Sequence, residues 1–206
     1  MTSILAIDTA SERFAVAWLD EAVGEPRVVE GEGARDHSRQ LLDAIREVAG
    51  SDLASLRAVL VTTGPGSYAG LRVGIATAEG LALARGAPVY GVGTLEAAAA
   101  AAPHDGARTI VHPIGRGEFA TQEWASGKAT AEIRVVAGGE LTGDRLTGEG
   151  AGALGGFEIG PRERVLAVFG PGRDAIAAKA ASGVEAFYIR EPHITRPRRA
   201  TMAPGT

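Results

Sequence analysis

Residues 59–85, VLVTTGPGSYAGLRVGIATAEGLALAR, constrain the fold of this chain more than any other stretch. A β-rich run at residues 59–63 meets a Gly-Pro-Gly turn, and Ser67 then offers a hydroxyl that suits a helix N-cap. A long helical pattern follows directly. The stretch therefore predicts a strand, a tight loop and a helix, with structural roles in the loop and cap for Gly64, Pro65, Gly66 and Ser67.

The predicted helix has two apolar faces. On a wheel of about 3.6 residues per turn, one face consists of Leu71, Ile75, Ala78 and Ala82, and a roughly opposite face of Val73, Thr77, Gly80 and Ala84. The only interior charges, Arg72 and Glu79, lie on one narrow stripe. A helix that is apolar nearly all round is buried on more than one side. We therefore expect the first face to pack on the chain's own sheet and the second, rich in small residues, to contact another element or another chain.

The sequence argues against three functional interpretations of this stretch: a dinucleotide-binding loop, a Walker A loop and a transmembrane helix. The letters of residues 64–69 match the dinucleotide fingerprint, but that motif needs an acidic residue about 20 positions later, after a strand, where this chain reads Gly-Val-Gly. A Walker A loop ends in Gly-Lys-Ser/Thr, whereas this run continues Gly-Leu-Arg. A transmembrane dimerisation helix is interrupted by Arg72, Glu79 and Arg85. A glycine-rich turn leading into a core helix stays as the structural alternative.

Composition excludes several classes of protein. The chain has 206 residues, enough for one large domain or two small lobes, and 45% of them are hydrophobic. Because it has no cysteine, it has no disulfide, thiol nucleophile or zinc–thiolate site, which suits a reducing cytoplasm. We see no signal-peptide pattern at the N-terminus. A net charge of −4 argues against independent nucleic-acid binding, so contact with RNA would need a partner.

The first half of the chain has the pattern of a sheet with crossover helices. Residues 4–7 and 14–19 form a predicted hairpin, residues 27–30 a weaker strand, and residues 38–49 a helix ended by Gly50. The apolar side of that helix consists of Leu41, Leu42, Ile45, Val48 and Ala49. After the central strand and helix come a strand at 88–92 and an alanine-rich helix at 95–102, capped by Thr94 and ended by Pro103. This order predicts an α/β, ribonuclease-H-like half of the kind found in actin, sugar kinases and chaperone ATPases.

The second half predicts a smaller lobe. Short β runs at residues 109–114, 118–124 and 128–136 suggest the same three-strand opening, followed by a glycine loop at 146–151, a brief helix at 174–182 and a last strand at 185–189. We therefore expect an actin-like ATPase fold of two lobes, the second shortened. The predicted units are an N-terminal lobe at 1–105, a C-terminal α/β lobe at 106–192 and a mobile basic tail at 193–206.

The chain resembles the bacterial TsaB (YeaZ) family. The matching segments are residues 4–9 (ILAIDT), 35–38 (RDHS), 64–74 (GPGSYAGLRVG), 80–82 (GLA) and 91–95 (GVGTL), with looser matches at 148–151 and 188–190. The match covers the N-terminal half almost continuously. The second lobe departs, because residues 113–118 read PIGRGE where the family usually carries Asp-Ala-Arg before its Gly-Glu.

The resemblance implies a non-catalytic, cytoplasmic dimerisation and scaffold subunit of the machinery that forms N6-threonylcarbamoyladenosine in tRNAs reading ANN codons. Its implied partners are a TsaD-like catalytic subunit, bound through the N-lobe helices as a heterodimer, and a TsaE-like ATPase. Contact with tRNA would occur only through the complex, where ATP or ADP can bind, and no cofactor or membrane is expected for this chain alone. A homodimer in isolation stays open. The candidate interface residues are Leu41, Ile45, Val73, Thr77, Gly80 and Ala84.

An actin-like enzyme with its own activity, either an ATPase or phosphotransferase or an M22-type peptidase, is the alternative. In actin-like ATPases the first hairpin turn holds metal and phosphate, and here Asp8 and Thr9 are the candidates for residues near a nucleotide. However, the β-carbons of Thr9 and Ala10 leave less room for a phosphate to approach the backbone of this turn. The four histidines, His37, His104, His112 and His193, are never three or four residues apart, so we expect no helical two-histidine metal site. Ser67 lacks the G-x-S-x-G context of a nucleophile elbow, so we expect no catalytic residue.

Overall fold

The computed structural model describes residues 3–32, 37–103, 106–177 and 184–189. Five strands form the first sheet: β1 (Ser3–Asp8), β2 (Arg13–Asp20), β3 (Arg27–Glu32), β4 (Leu56–Thr62) and β5 (Val89–Val92). Six form the second: β6 (Arg108–Pro113), β7 (Glu118–Ala125), β8 (Lys128–Ala129), β9 (Arg134–Ala137), β10 (Leu146–Gly148) and β11 (Phe157–Glu158). The α-helices are α1 (His37–Ala49), α2 (Tyr68–Arg85), α3 (Thr94–Ala101), α4 (Pro161–Ala167) and α5 (Phe169–Ala177).

The first sheet has the strand order β3-β2-β1-β4-β5. Strands β1, β2 and β3 pair antiparallel, whereas β4 joins β1, and β5 joins β4, in parallel. β4 is an almost continuous apolar run because helices cover the sheet on both faces. This arrangement confirms the predicted two-lobed, ribonuclease-H-like α/β fold.

Two separate cores flank the first sheet. On one face α1 and α2 pack through residues that include Leu41, Ile45, Ile75 and Ala82. The predicted inner face of α2 is confirmed, because Leu71, Ile75, Ala78 and Ala82 are all buried. On the other face α3, α4 and α5 contribute Ala97, Val165 and Phe169, and Val168 joins them from between α4 and α5.

The second sheet has the order β11-β10-β6-β7-β8, and β9 also pairs with β7. Its strands pack partly against α3, where Leu95 and Ala98 meet Ile110 and Ala120. Helices α4 and α5 follow this sheet in the chain but return to the first one. The prediction of a separate unit at 106–192 therefore needs correction, because α4 and α5 pack on the sheet of the N-terminal lobe. The physical reason is that β1 and β4 carry apolar side chains on both faces, and α3 alone is too short to cover the second face.

Three local predictions differ from the structure. Thr94 is the first residue of α3 rather than its cap, which is Gly93, whose N–H donates to Glu96 Oε2 at 3.3 Å. The predicted helix at 174–182 begins earlier, at Phe169, and its residues 178–182 lie outside the described part, as does the tail at 193–206. Residues 185–189 are not a strand, although the N–H of Phe187 donates to the carbonyl of Thr63 at 2.7 Å. The described helices include none with the length and apolarity needed to span a membrane.

Candidate functional site: an inter-lobe cleft and a helical groove

A cleft of about 750 Å³ separates the two lobes. It lies between the β1–β2 hairpin turn of the first sheet, the β6–β7 hairpin turn of the second and the N-terminus of α2. Its walls include Ser11, Arg13, Ser67, Ile114, Arg116 and Tyr188. In an actin-like ATPase fold, phosphate and metal would bind at such a cleft. The residues beside and beneath it therefore determine whether this chain can hold phosphate and metal.

A stripe of glycines, on the loop before α2 and in its first turns, packs against the β1–β2 hairpin turn beside the cleft. A β-carbon at Gly66 would overlap the carbonyl oxygen of Ala10, and β-carbons at Gly70 and Gly74 would overlap the carbonyl and hydroxyl oxygens of Thr9. The Ser67 N–H also donates to the Ala10 carbonyl at 2.6 Å. This close approach gives the Gly-Pro-Gly-Ser-Tyr-Ala-Gly segment a packing role, because larger residues would push α2 away from the hairpin turn.

A buried arginine from α4 lies beneath the cleft, in contact with two of its lining residues, Ser11 and Glu149. The guanidinium of Arg164, with 0% of the residue exposed, donates from Nε to Asp8 Oδ2 at 2.7 Å and from Nη1 to Glu149 Oε2 at 2.7 Å. Its Nη2 donates to Ser11 Oγ at 3.1 Å and to Asp8 Oδ1 at 3.4 Å, and Nη1 also reaches the Ile159 carbonyl at 3.4 Å. Charge-assisted hydrogen bonds of this kind are short and directional. Arg164 thus joins Asp8 and Ser11 of the first sheet's hairpin to Glu149 of the second lobe.

The charges around Arg164 keep it protonated. Burial by itself would lower the pKa of Arg164, but the charges of Asp8 and Glu149 and the hydrogen bonds that they accept outweigh burial and raise it. The guanidinium is therefore a permanent positive charge at this position.

His112 on β6 closes the same cluster from the second lobe. Its Nε2 lies 3.2 Å from the Ala10 carbonyl, and its Nδ1 lies 3.8 Å from Glu149 Oε2. Burial, and then the positive charge of Arg164, lower the pKa of His112 from 6.5 to about 4, against the opposite effect of Glu149. At neutral pH the ring is therefore neutral, and because a carbonyl can only accept, Nε2 carries the proton.

Asp8 and the residues around it do not fit a metal-bound nucleotide. The Asp8 carboxylate is fully buried and already accepts from Arg164, from the Ala10 N–H at 3.0 Å and from the Thr62 hydroxyl at 3.4 Å. A divalent cation needs several oxygen ligands directed at it, whereas a guanidinium already takes that place here. The Thr9–Ala10 backbone is covered by α2. Within the described part of the chain, no group of three or more His, Asp or Glu side chains is placed to hold a metal ion.

The predicted loop residues have local structural roles. Ser67 is the N-cap of α2, and its Oγ accepts from the Gly70 N–H at 3.2 Å, as predicted. The Gly64 carbonyl accepts from the Thr94 N–H at 2.8 Å, and Pro65 and Gly66 line the cleft. Among the described residues, no histidine or carboxylate hydrogen-bonds to the Ser67 hydroxyl, so this serine has no base of the kind that a peptidase nucleophile needs.

A second surface, the α1–α2 groove, lies on the outer side of the first lobe. It is a shallow, mainly apolar groove of about 470 Å³, lined by Leu42, Arg72, Val73, Ala76, Thr77, Gly80 and Leu81. Leu42 is 42% exposed and the neighbouring Leu83 is 86% exposed. Val73 and Thr77 are half-buried, while Gly80 and Ala84 are exposed, so the predicted second face of α2 is accessible. Its role as an interface stays a prediction.

Two of the predicted interface residues are wrong. Leu41 is 0% exposed and Ile45 is 2% exposed, because both lie in the core between α1 and the first sheet. The amphipathic side of α1 covers the sheet, and only its flank at Leu42 reaches the groove. The interface prediction on α1 therefore moves from Leu41 and Ile45 to Leu42.

Sequence reasoning missed Arg164 and Glu149 altogether. A signal for Arg164 was available, since Pro161, Arg164, Val165 and Val168 follow helical spacing and place an arginine on an apolar stripe. Glu149 lies in a glycine loop, and nothing in its local pattern distinguishes it from a solvent-exposed acid. His112 was treated only as an isolated histidine.

Sequence comparison relates the chain to proteins of tRNA modification. A family model described as TsaD, tRNA N6-adenosine threonylcarbamoyltransferase, matches residues 28–114. The tRNA threonylcarbamoyladenosine biosynthesis protein TsaB of Escherichia coli (strain K12) is 38% identical over 96 residues, which are 45% of this chain and 40% of that protein. The protein of the same name from Bacillus subtilis (strain 168) is 32% identical over 123 residues, 58% of this chain and 53% of that protein. The chain thus spans about half the length of the curated relatives it matches.

Comparison with solved structures extends the likeness to both lobes. A crystal structure described as an uncharacterized protein with similarity to peptidase YEAZ, from Pseudomonas aeruginosa, matches with a TM-score of 0.75 and 22% identity. The match covers 92% of this chain and 100% of that one. At this identity the likeness shows a shared fold.

Proposed function

Because the chain belongs to the TsaB (YeaZ) family, we propose that it is a non-catalytic subunit of the machinery that forms N6-threonylcarbamoyladenosine in tRNA. In this role it binds and stabilises a TsaD-type catalytic subunit. The family model described as TsaD matches residues 28–114, which include both helices of the α1–α2 groove.

The observation that carries the proposal is the accessible apolar groove on α2. A helix that buries one face on its own sheet and leaves Gly80, Ala84 and the large side chain of Leu83 open to solvent has a surface suited to a second helix. The small residues Ala76 and Gly80 allow close approach, and Leu42 and Leu83 supply apolar area. We expect the assembled interface to bury roughly 1,200 to 2,000 Å².

The absence of catalysis is part of the proposal. Asp8, the residue that would hold a metal in an actin-like ATPase, is neutralised by Arg164, and Ser67 serves as a helix cap. ATP or ADP and a TsaE-type ATPase then act on the assembled complex, and tRNA is contacted through that complex. In the absence of its partner the same groove pairs two copies of this chain.

Two substitutions in α2 test the role of its two faces. Gly80→Arg should leave the fold intact, because a β-carbon at Gly80 meets no atom within 4 Å, but the long charged side chain fills the groove and abolishes pairing. Ile75→Ala should cost about 2 to 5 kcal/mol of folding stability by opening a core cavity, while leaving the groove in place. Gly139→Arg, at an exposed glycine of the second lobe with the same free space, is the matched control.

Pairing is measured by size-exclusion chromatography and calorimetry with a TsaD-type subunit, and stability by thermal melting. We expect Gly139→Arg to bind as the wild type does and Gly80→Arg to lose binding at an unchanged melting temperature. Normal binding by Gly80→Arg would place the interface elsewhere. ATP hydrolysis by the purified chain above a buffer blank, lost in Asp8→Ala, would contradict the non-catalytic assignment.

A further inference from the structure

We propose that Asp8, Ser11 and Glu149 form a guanidinium-binding site across the two lobes, which the chain fills with its own Arg164, so that the lobes keep one arrangement without any bound ligand. This inference does not depend on the partner, and it holds whether or not the α1–α2 groove binds TsaD.

The ligand set is built for a planar, forked cation. The two oxygens of Asp8 accept hydrogen bonds from Nε and Nη2 of Arg164. Glu149 accepts from Nη1, and Ser11 accepts from Nη2. All three guanidinium nitrogens are therefore used, in directions that a lysine ammonium cannot reproduce. Asp8 is fully buried and Glu149 is 16% exposed, so removal of the guanidinium leaves two carboxylates poorly solvated.

The site spans the two lobes through both of its carboxylates. Asp8 ends β1 of the first sheet, and Glu149 follows β10 of the second. His112 adds a second contact between the lobes, from β6 to the carbonyl of Ala10. Here a side chain of α4 links these segments through hydrogen bonds and ion pairs, so the link needs no bound ligand. The cleft is thereby held at one width.

Chemical rescue tests the site in the 206-residue chain. Arg164→Ala should lower the melting temperature by about 10 °C, because it breaks a buried ion pair from one side. Methylguanidinium at millimolar concentration should restore most of that loss, while methylammonium and urea, which supply only the charge or only the planar donors, should not. Arg162→Ala, which removes an exposed arginine from the same helix, should be unchanged and insensitive to all three compounds.

Arg164→Lys covers the case in which Arg164→Ala does not fold. We expect it to fold with a melting temperature between those of the wild type and a fully unpaired cluster, since lysine keeps the charge and loses the fork. A melting temperature equal to the wild type's would show that the forked geometry is unused and would overturn the proposal. Equal rescue of Arg164→Ala by methylammonium would overturn it as well.

Spin-label distances test the fixed arrangement directly. The chain has no cysteine, so Glu25→Cys and Lys128→Cys, at exposed positions of opposite lobes, can be labelled without background. The distance distribution should be narrow and unchanged by Mg-ATP, should broaden when Arg164→Ala is added, and should narrow again with methylguanidinium. A distribution that Mg-ATP shifts in the wild-type background, or that Arg164→Ala leaves unchanged, would contradict a lobe arrangement set by Arg164.

Discussion

The stability of the protein should fall as the pH drops below neutral, and His112 should account for a defined part of that fall. Its folded-state pKa of about 4 lies below the value of 6.5 for the unfolded chain, because the ring is buried beside Arg164. Above pH 6.5 neither state binds the proton at this ring. Between the two values the unfolded chain binds it and the folded protein does not, so falling pH favours unfolding.

The magnitude follows from the width of that pH window. Each pH unit over which only the unfolded state is protonated costs about 1.4 kcal/mol of unfolding free energy. Over the whole window from 6.5 to about 4, His112 should therefore remove roughly 3 kcal/mol, and below it this contribution should level off. This is a large share of the stability of a typical domain.

The assay is urea unfolding of the wild type and of His112→Gln at several values between about pH 7 and pH 4. Glutamine keeps an N–H donor for the Ala10 carbonyl but does not titrate, so the carboxylates and the other histidines contribute equally to both proteins. The wild type should lose about 3 kcal/mol more than the variant across this range. Parallel pH profiles for the two proteins would refute a neutral, buried His112.

Two further predictions concern the helix α2. Gly70→Ala should destabilise the protein by about 1 to 3 kcal/mol, because the added β-carbon would overlap the Thr9 carbonyl oxygen. Gly80→Ala should stabilise it by up to about 1 kcal/mol, because there the β-carbon points into open space. Changes of the same sign for both variants in urea unfolding would contradict the packing described for the glycine stripe. Ser67→Ala should cost about 1 kcal/mol by removing the N-cap while sparing partner binding, and a loss of binding in calorimetry without a loss of stability would assign this serine a role beyond capping.

The fold was largely predictable because its signals are local. Periodicity gave α2 its buried face, and apolar runs gave β1, β2 and β4, since a strand buried on both faces is mainly apolar. Ser67 was predictable for the same reason, because a cap depends only on the next few residues. Gly93 displaced Thr94 as a cap because an extended glycine there lets Glu96 bond back to its N–H.

The site was predicted much less well, because it depends on contacts between distant parts of the chain. Asp8 was singled out by its position as a candidate residue near a nucleotide, whereas in the structure its carboxylate pairs with Arg164. Leu41 and Ile45 were placed on a partner surface because periodicity defines an apolar side without saying what covers it. In the structure the first sheet covers that side of α1. This packing depends on the topology of the whole lobe and cannot be read from the helix alone.

Asp8 belongs to β1, while its cationic partner Arg164 lies 156 positions further along the chain. During synthesis, strands β1 to β5 can pair early, but one face of their sheet then lacks Val165 and Val168, and the Asp8 carboxylate has no counter-ion. Contacts between such distant residues form slowly, because the chain between them must first give up its conformational freedom. A chain that stops before residue 161 would therefore have an unfinished core and a buried carboxylate without its counter-ion, rather than a smaller working lobe.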